Sequence, residues 1–335
     1  MRPKLLIIFL IGMTGSAGTA HPQPPVSLES HIVEGEFVAG DFDWMRGAFP
    51  GATAEQRAEY QAISDWLKIC SSEARTSMLA QLEELGVVNA RLGEGSVTFP
   101  LCDQVSAQPD VRLFNNFEDF SETLDLTRPI FDAMVSTTWL AESIAGAPTN
   151  SLTDELLHRP MAEQIYRNAF TWLSLDEPVD DIPLLTKKQR SVFSALLIRK
   201  LGDEDRTNTS WLQSVIEEHG WPTKSAVGED ASSQAWLLAQ HADHDPAFQL
   251  RVLRLIEPLT VSDEVSPKNY AYLYDRVMLK LRGTQRYATQ VTCEGGRIVP
   301  RPLENAAAMP EYRKSVGLVP FDEYLTWFST PCPPE

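Results

Sequence analysis

Beyond its first 13 residues the chain has no apolar run long enough to cross a bilayer, which takes about 20 residues. It is also short of base: 29 Lys and Arg stand against 46 Asp and Glu, a formal net charge of −17. A surface this negative repels phosphate backbones and anionic lipid heads, so nucleic acid is not expected as a partner. No Cys-x-x-Cys spacing occurs, which argues against a zinc site built on thiolates. No Gly-x-Ser-x-Gly elbow and no Gly-rich phosphate loop is present, so neither a serine hydrolase of that kind nor a nucleotide fold has support. No repeat of solenoid period is found either.

What is present starts with Met1-Arg-Pro-Lys4, a short apolar run from Leu5 to Met13, and small residues up to Ala20. That order reads as a secretory signal peptide cut after Ala20. No cysteine sits near the cut, against a lipid-anchored start, and cleavage would remove Arg2 and Lys4 but no acid. The expected mature protein is exported, periplasmic or extracellular, with no membrane span. Its four cysteines are Cys70, Cys102, Cys293 and Cys332. An even count in an oxidising compartment points to two disulfides. Three pairings exist; the two local ones, Cys70–Cys102 and Cys293–Cys332, are favoured, and each would typically add about 2–4 kcal/mol.

Apolar periodicity predicts a mainly α chain: a helical orthogonal bundle with a small C-terminal β-hairpin. Thr53 with Gln56 makes a capping box for a helix reaching Cys70, and a second helix over 73–85 stops at Gly86. Residues 89–110 read as a loop or small hairpin around Cys102. Pro129 is expected to interrupt the next helical stretch and start a new helix. Further helices open at Ser151 or Thr153, at Thr186, and at Asn208 or Thr209. The acidic, Pro-marked stretch 176–183 is taken as an internal boundary, which divides the chain into a signal peptide (1–20), a helical N-terminal region (21–178) and a helical C-terminal domain (179–335).

Candidate chemistry concentrates in the last of these. His219 shares a helix face with Trp211, Leu212, Val215 and Ile216. A helix over 229–242, apolar nearly all round, places His241 beside the corner Asp243-His244-Asp245, and Asp245-Pro246 reads as N-cap and N1 of the next helix. A buried histidine beside carboxylates has its charge state tuned by them, as a general base requires. His241 and His244 are three apart, but the intervening turn does not fix them on one face. No metal site is therefore expected there, and no cofactor is indicated. Asp275 and Arg276 lie opposite the apolar stripe of a helix starting at Ser266-Pro267. A hairpin is expected from 285–292 and 297–300 around Glu294-Gly295-Gly296, with Gln285, Tyr287 and Thr289 on one face and Gln290 on the other.

Taken together, His219-Gly-Trp-Pro222, Gln240-His241-Ala-Asp243 with Asp245 and Phe248-Gln249, Asp275-Arg276, and Gln285-x-Tyr287-x-Thr289-Gln290 resemble a bacterial domain family of unknown function. The likeness covers residues 205–325. The family pattern has Gly where this chain has Ala288. Membership implies no activity; it marks His241, Asp243, Gln249, Asp275, Arg276, Gln285, Tyr287 and Gln290 as site candidates. Two functions follow as expectations. One is a binding or interaction role in the cell envelope with a polar pocket around His241 that takes a small molecule. The other is a hydrolase or transferase on a small polar substrate, with His241 as acid/base, Asp243 or Asp245 orienting it, and Arg276 holding an anionic group. The oligomeric state stays open.

Overall fold

A computed structural model describes residues 22–93, 95–146, 151–175, 184–328 and 332. The expected leader and the expected boundary at 178 lie outside these residues. The chain opens with a one-turn helix, α1 (Val26–Glu29), and a two-residue ladder between β1 (Ile32–Val33) and β2 (Glu36–Phe37). A 3-10 turn over Asp43–Ala48 then buries Trp44 and Met45. Helix α2 runs Ala54–Glu84 from the expected capping box of Thr53 and Gln56. It is one helix where two were expected. Ser71 and Ser72 between the two periodic stretches are weak helix formers but not stops, and Gly86 takes the left-handed geometry (φ +76°) just beyond the end.

Cys102 sits on a short helix, α3 (Pro100–Ser106), rather than in a loop or hairpin. A disulfide ties it to Cys70 on α2. Helix α4 (Phe117–Ala145) passes through Pro129 without ending. The proline removes one donor and leaves the carbonyl four residues back without its helical partner, a local cost that the packed helix absorbs. Two helices follow, α5 (Leu152–His158) and α6 (Pro160–Leu173). Then comes the longest, α7 (Lys187–His219), opened by a second capping box from Thr186 and Gln189. Asn208 and Thr209, expected as caps, lie buried in the middle of α7, where the Thr209 hydroxyl donates to the Asp205 carbonyl. That back-bond satisfies the hydroxyl inside a helix instead of starting one.

The next helices are α8 (Lys224–Val227), α9 (Glu229–His241), α10 (Pro246–Ile256) and α11 (Pro267–Arg282). The hairpin pairs β3 (Val291–Glu294) with β4 (Arg297–Pro300), antiparallel, around Gly295-Gly296 as expected. Its first strand begins only at Val291, so residues 285–290 are not strand. Two short helices, α12 (Met309–Ser315) and α13 (Phe321–Leu325), precede Cys332, which is bonded to Cys293. No described helix is long and apolar enough to cross a membrane.

Helix α7, about 50 Å long at 1.5 Å per residue, is the strut against which α3, α4, α6 and α9 all pack. Three apolar cores form around this frame. The largest joins the C-terminal half of α2 to α9, α10 and α11 through Leu82, Leu238, Leu253 and Leu273. A second gathers Phe42, Trp44, Phe49 and Phe120 beside the first disulfide. The third lies between α4, α6 and α7, around Tyr166, Phe193 and Leu197. Each fully buried large side chain contributes on the order of 1.5–3 kcal/mol. Together the three cores hold α6, α7 and α9 side by side.

Candidate functional site

Helix α9 buries Ala231, Ala235, Leu238 and Ala239 and ends at His241, where the Ala242 N–H turns back to the Ala239 carbonyl. The imidazole emerges from that end against α6. Its Nδ1 lies 2.7 Å from Oε1 of Glu163, a carboxylate with no exposed surface. The other oxygen, Oε2 of Glu163, is buried without a hydrogen-bond partner. One turn further along α6, Arg167 places a guanidinium nitrogen 2.6 and 2.7 Å from the two oxygens of Asp205 on α7. Burial pushes the Asp205 carboxyl up to about 7; Arg167 opposes this, and the charge of Glu163 adds to it. One ligand atom from each of Glu163, Asp205 and His241 fits within a 4.8 Å cluster.

The corner after α9 carries a second polar group. Asp243 accepts from Arg276 and Lys280 of α11, both at 2.5 Å. Burial works to raise the Asp243 carboxyl, but Lys280 and then Arg276 hold it well below the usual carboxylate range. Gln249, fully buried on α10, donates to the Ala239 and Gln240 carbonyls at the end of α9 and accepts from Lys280 at 3.2 Å. His244 stands between these groups. Burial, Arg206 and Lys280 bring its pKa down to about 4 against the pull of Asp243, so the ring is neutral.

A cavity of about 260 Å³ opens here, with Asp205, Arg206, His241, Asp243 and His244 on its walls. Gly202, in the interior of α7, lines it too; a helix-interior glycine costs about 1 kcal/mol relative to alanine. A second cavity of about 470 Å³ adjoins through Ser96, which lines both, and has Arg91, Lys280 and Arg301 around it. The Asp243–Lys280 pair bridges the two walls.

The other expected residues sit elsewhere, and all but His219 are held in the fold. Asp275 is buried on α11 and accepts from the backbone N–H groups of Arg286, Tyr287 and Thr289 and from the Thr289 hydroxyl, at 2.8 to 3.2 Å. Residues 286–289 thus wrap around one carboxylate, while Gln285 and Gln290 at either end pair with backbone of residues 301–304. Gln285 closes the same loop, donating to the Gln290 and Arg301 carbonyls and accepting from the Gln290 N–H. Gln290 gives its amide to the Thr289 hydroxyl. Tyr287 is buried, and its carbonyl accepts from the buried Arg313 at 2.7 Å. Ala288 is fully buried with φ +54°. Asp245 caps α10 through the Phe248 N–H and accepts from Gln213. His219 is exposed and pairs only with Glu218, 3.6 Å away.

The structure therefore puts His241 and Asp243 on the cavity wall, with Gln249 and Arg276 behind them against Asp243, and keeps Asp275, Gln285, Tyr287 and Gln290 in a separate knot. Glu163, Arg167, Asp205 and Lys280 escaped the sequence reading. One signal was available: Glu163 lies between Ala162 and Tyr166 on the buried face of α6, and a carboxylate on an apolar face calls for a partner. The pairing of α6 with α9 had no local signal.

Compared with known families, residues 150–330 match the model of a Family of unknown function (DUF6624). The matched segment takes in α6 as well as α7 and α9, so it contains all three of Glu163, Asp205 and His241. No curated protein and no solved structure matches the chain.

Proposed function

We propose that this chain, which belongs to the DUF6624 family of unknown function, is an exported protein of the bacterial cell envelope that holds a small polar ligand in the cleft beside His241. One observation carries the reading. His241 Nε2 at the cavity and the buried Glu163 Oε2 beside it take no bond among the described residues, whereas Asp275, Gln285 and Thr289 are bonded within their own loop. A concave site with a few convergent polar groups is where small molecules bind. Export is supported by the leader-like start and by two disulfides, which persist in oxidising compartments. The site straddles the proposed division at 178, since Glu163 lies before it and His241 after it.

A second reading, a hydrolase or transferase on a small polar substrate, is favoured by the His241–Glu163 contact. A buried carboxylate on Nδ1 fixes the ring and its tautomer and leaves Nε2, which takes no bond among the described residues, to exchange a proton with a cleft ligand. Glu163 then fills the orienting role expected of Asp243 or Asp245, which are committed to Arg276 and Lys280 and to the α10 cap.

A thermal-shift screen of small polar compounds tests both. At least one compound should raise the melting temperature of the wild type and leave His241→Gln unmoved. A compound that shifts both equally, or a panel that shifts neither, counts against the cleft. Turnover of that compound, lost in His241→Gln, would select the enzyme reading. Intact mass of the secreted chain should begin at His21.

A further inference from the structure

We infer that Glu163, Asp205 and His241 form a divalent-cation site at the edge of the cleft, an inference that deepens the cleft reading and rests on it for the ion's route to solvent. An imidazole with two carboxylates is a donor set that zinc, manganese and iron accept. Two donors each about 2.1 Å from one ion lie at most about 4.2 Å apart. The observed cluster, within 4.8 Å, therefore closes on an ion with side-chain shifts of a fraction of an ångström. The ion would enter the Nδ1–Oε1 contact now spanned by a hydrogen bond.

Two further observations point to a ligand there. Glu163 has no exposed surface, and its Oε2 has no partner; its Oε1 is shared between His241 and the Gln164 amide at 3.2 Å. A desolvated carboxylate oxygen left unpaired costs free energy that an ion would recover. Glu163 also has no Lys or Arg partner among the described residues, whereas Asp205 pairs with Arg167, Asp103 with Arg206, and Asp243 with both Arg276 and Lys280. A dication would leave the trio and Arg167 with excess positive charge. That excess positive charge, facing a cavity lined by Asp205 and His241, would draw an anionic group of a ligand to the ion's open position. Arg167 would hold the Asp205 carboxylate from behind, as outer partners of metal ligands do. The simplest rival occupant is a proton shared by the two carboxyl groups.

Isothermal titration of the chelator-treated full chain with Zn²⁺ and with Mn²⁺, backed by elemental analysis, decides between them. The account expects one ion per chain and a raised melting temperature. Glu163→Gln and Asp205→Asn should each weaken binding about 100-fold or more while keeping the wild-type helical circular dichroism, and His219→Gln, at an exposed position away from the cleft, should leave affinity unchanged. No uptake of either ion, which selects the shared proton, overturns the site; so does uptake that survives both carboxylate variants. An ion-free protein that still answers to a polar compound would sink the cation and spare the cleft. An ion-bound protein that answers to none would do the reverse.

Discussion

Two buried carboxylates, Glu163 and Asp275, make the most instructive comparison in this molecule. Both lie on helices and have no exposed surface. Asp275 faces a loop that gives it three backbone N–H groups and a hydroxyl. Glu163 faces an imidazole and a second acid, and one of its oxygens has nothing. The first arrangement is closed: adding a ligand could only break it. The second is open in hydrogen bonding and in charge. Saturation, not burial, separates a carboxylate that organises the fold from one available for function, because an unmet polar group inside a protein is costly unless something offsets it.

Substitutions at the two carboxylates should split accordingly. The largest effect is expected at Asp275. In Asp275→Asn an amide NH₂ must face the N–H of Arg286, Tyr287 or Thr289, which should cost about 3 kcal/mol in urea unfolding. A cost below about 1 kcal/mol would mean the loop is held by Gln285, Arg313 and the Tyr324 hydroxyl, which donates to the Thr289 carbonyl, alone.

Next comes acid sensitivity at the cleft. His244 is neutral in the fold with a pKa near 4, while the unfolded chain takes up that proton near pH 6.5. Its share of stability is therefore intact above pH 6.5 and drains away as pH falls towards 4. His244→Gln should flatten this limb, read from unfolding midpoints between about pH 7 and 4.5. Unchanged slopes would place the ring in a less buried setting.

A smaller effect is expected at Ala288, whose left-handed backbone strains a side chain but not glycine. Ala288→Gly should stabilise by up to about 1 kcal/mol; a loss of that size would show that the buried methyl outweighs the strain. The smallest effect is reserved for Glu163→Gln, which keeps the shape, removes the excess charge and leaves Arg167 paired with Asp205. It should change stability by less than about 1 kcal/mol. A loss matching that of Asp275→Asn would erase the distinction between the two carboxylates.

Much of this fold was legible in the sequence because its signals are local. Capping boxes at Thr53 and Thr186, the Asp245-Pro246 start of α10, the Gly295-Gly296 turn and the local cysteine pairs all act within a few residues or one short loop. Helix continuity was harder. Pro129, Asn208 and Thr209 look like boundaries by propensity, but tertiary packing carries α4 and α7 through them. Residues 285–290 looked like a strand because they alternate, yet the N–H groups of Arg286, Tyr287 and Thr289 go to the Asp275 side chain. His241, Asp243 and Arg276, which the structure places near one another, could be named as candidates from sequence. The half of the site built from Glu163 and Asp205 depends on α6 and α7 meeting the end of α9, a contact that no spacing encodes.

Native mass spectrometry of the mature chain, recovered from the exported fraction of its expression host, tests the central claim most directly. The account predicts a non-covalent mass increment on the wild type that is lost in His241→Gln and kept in Ala288→Gly. A bare wild-type mass, or an increment that survives loss of the imidazole, would contradict it.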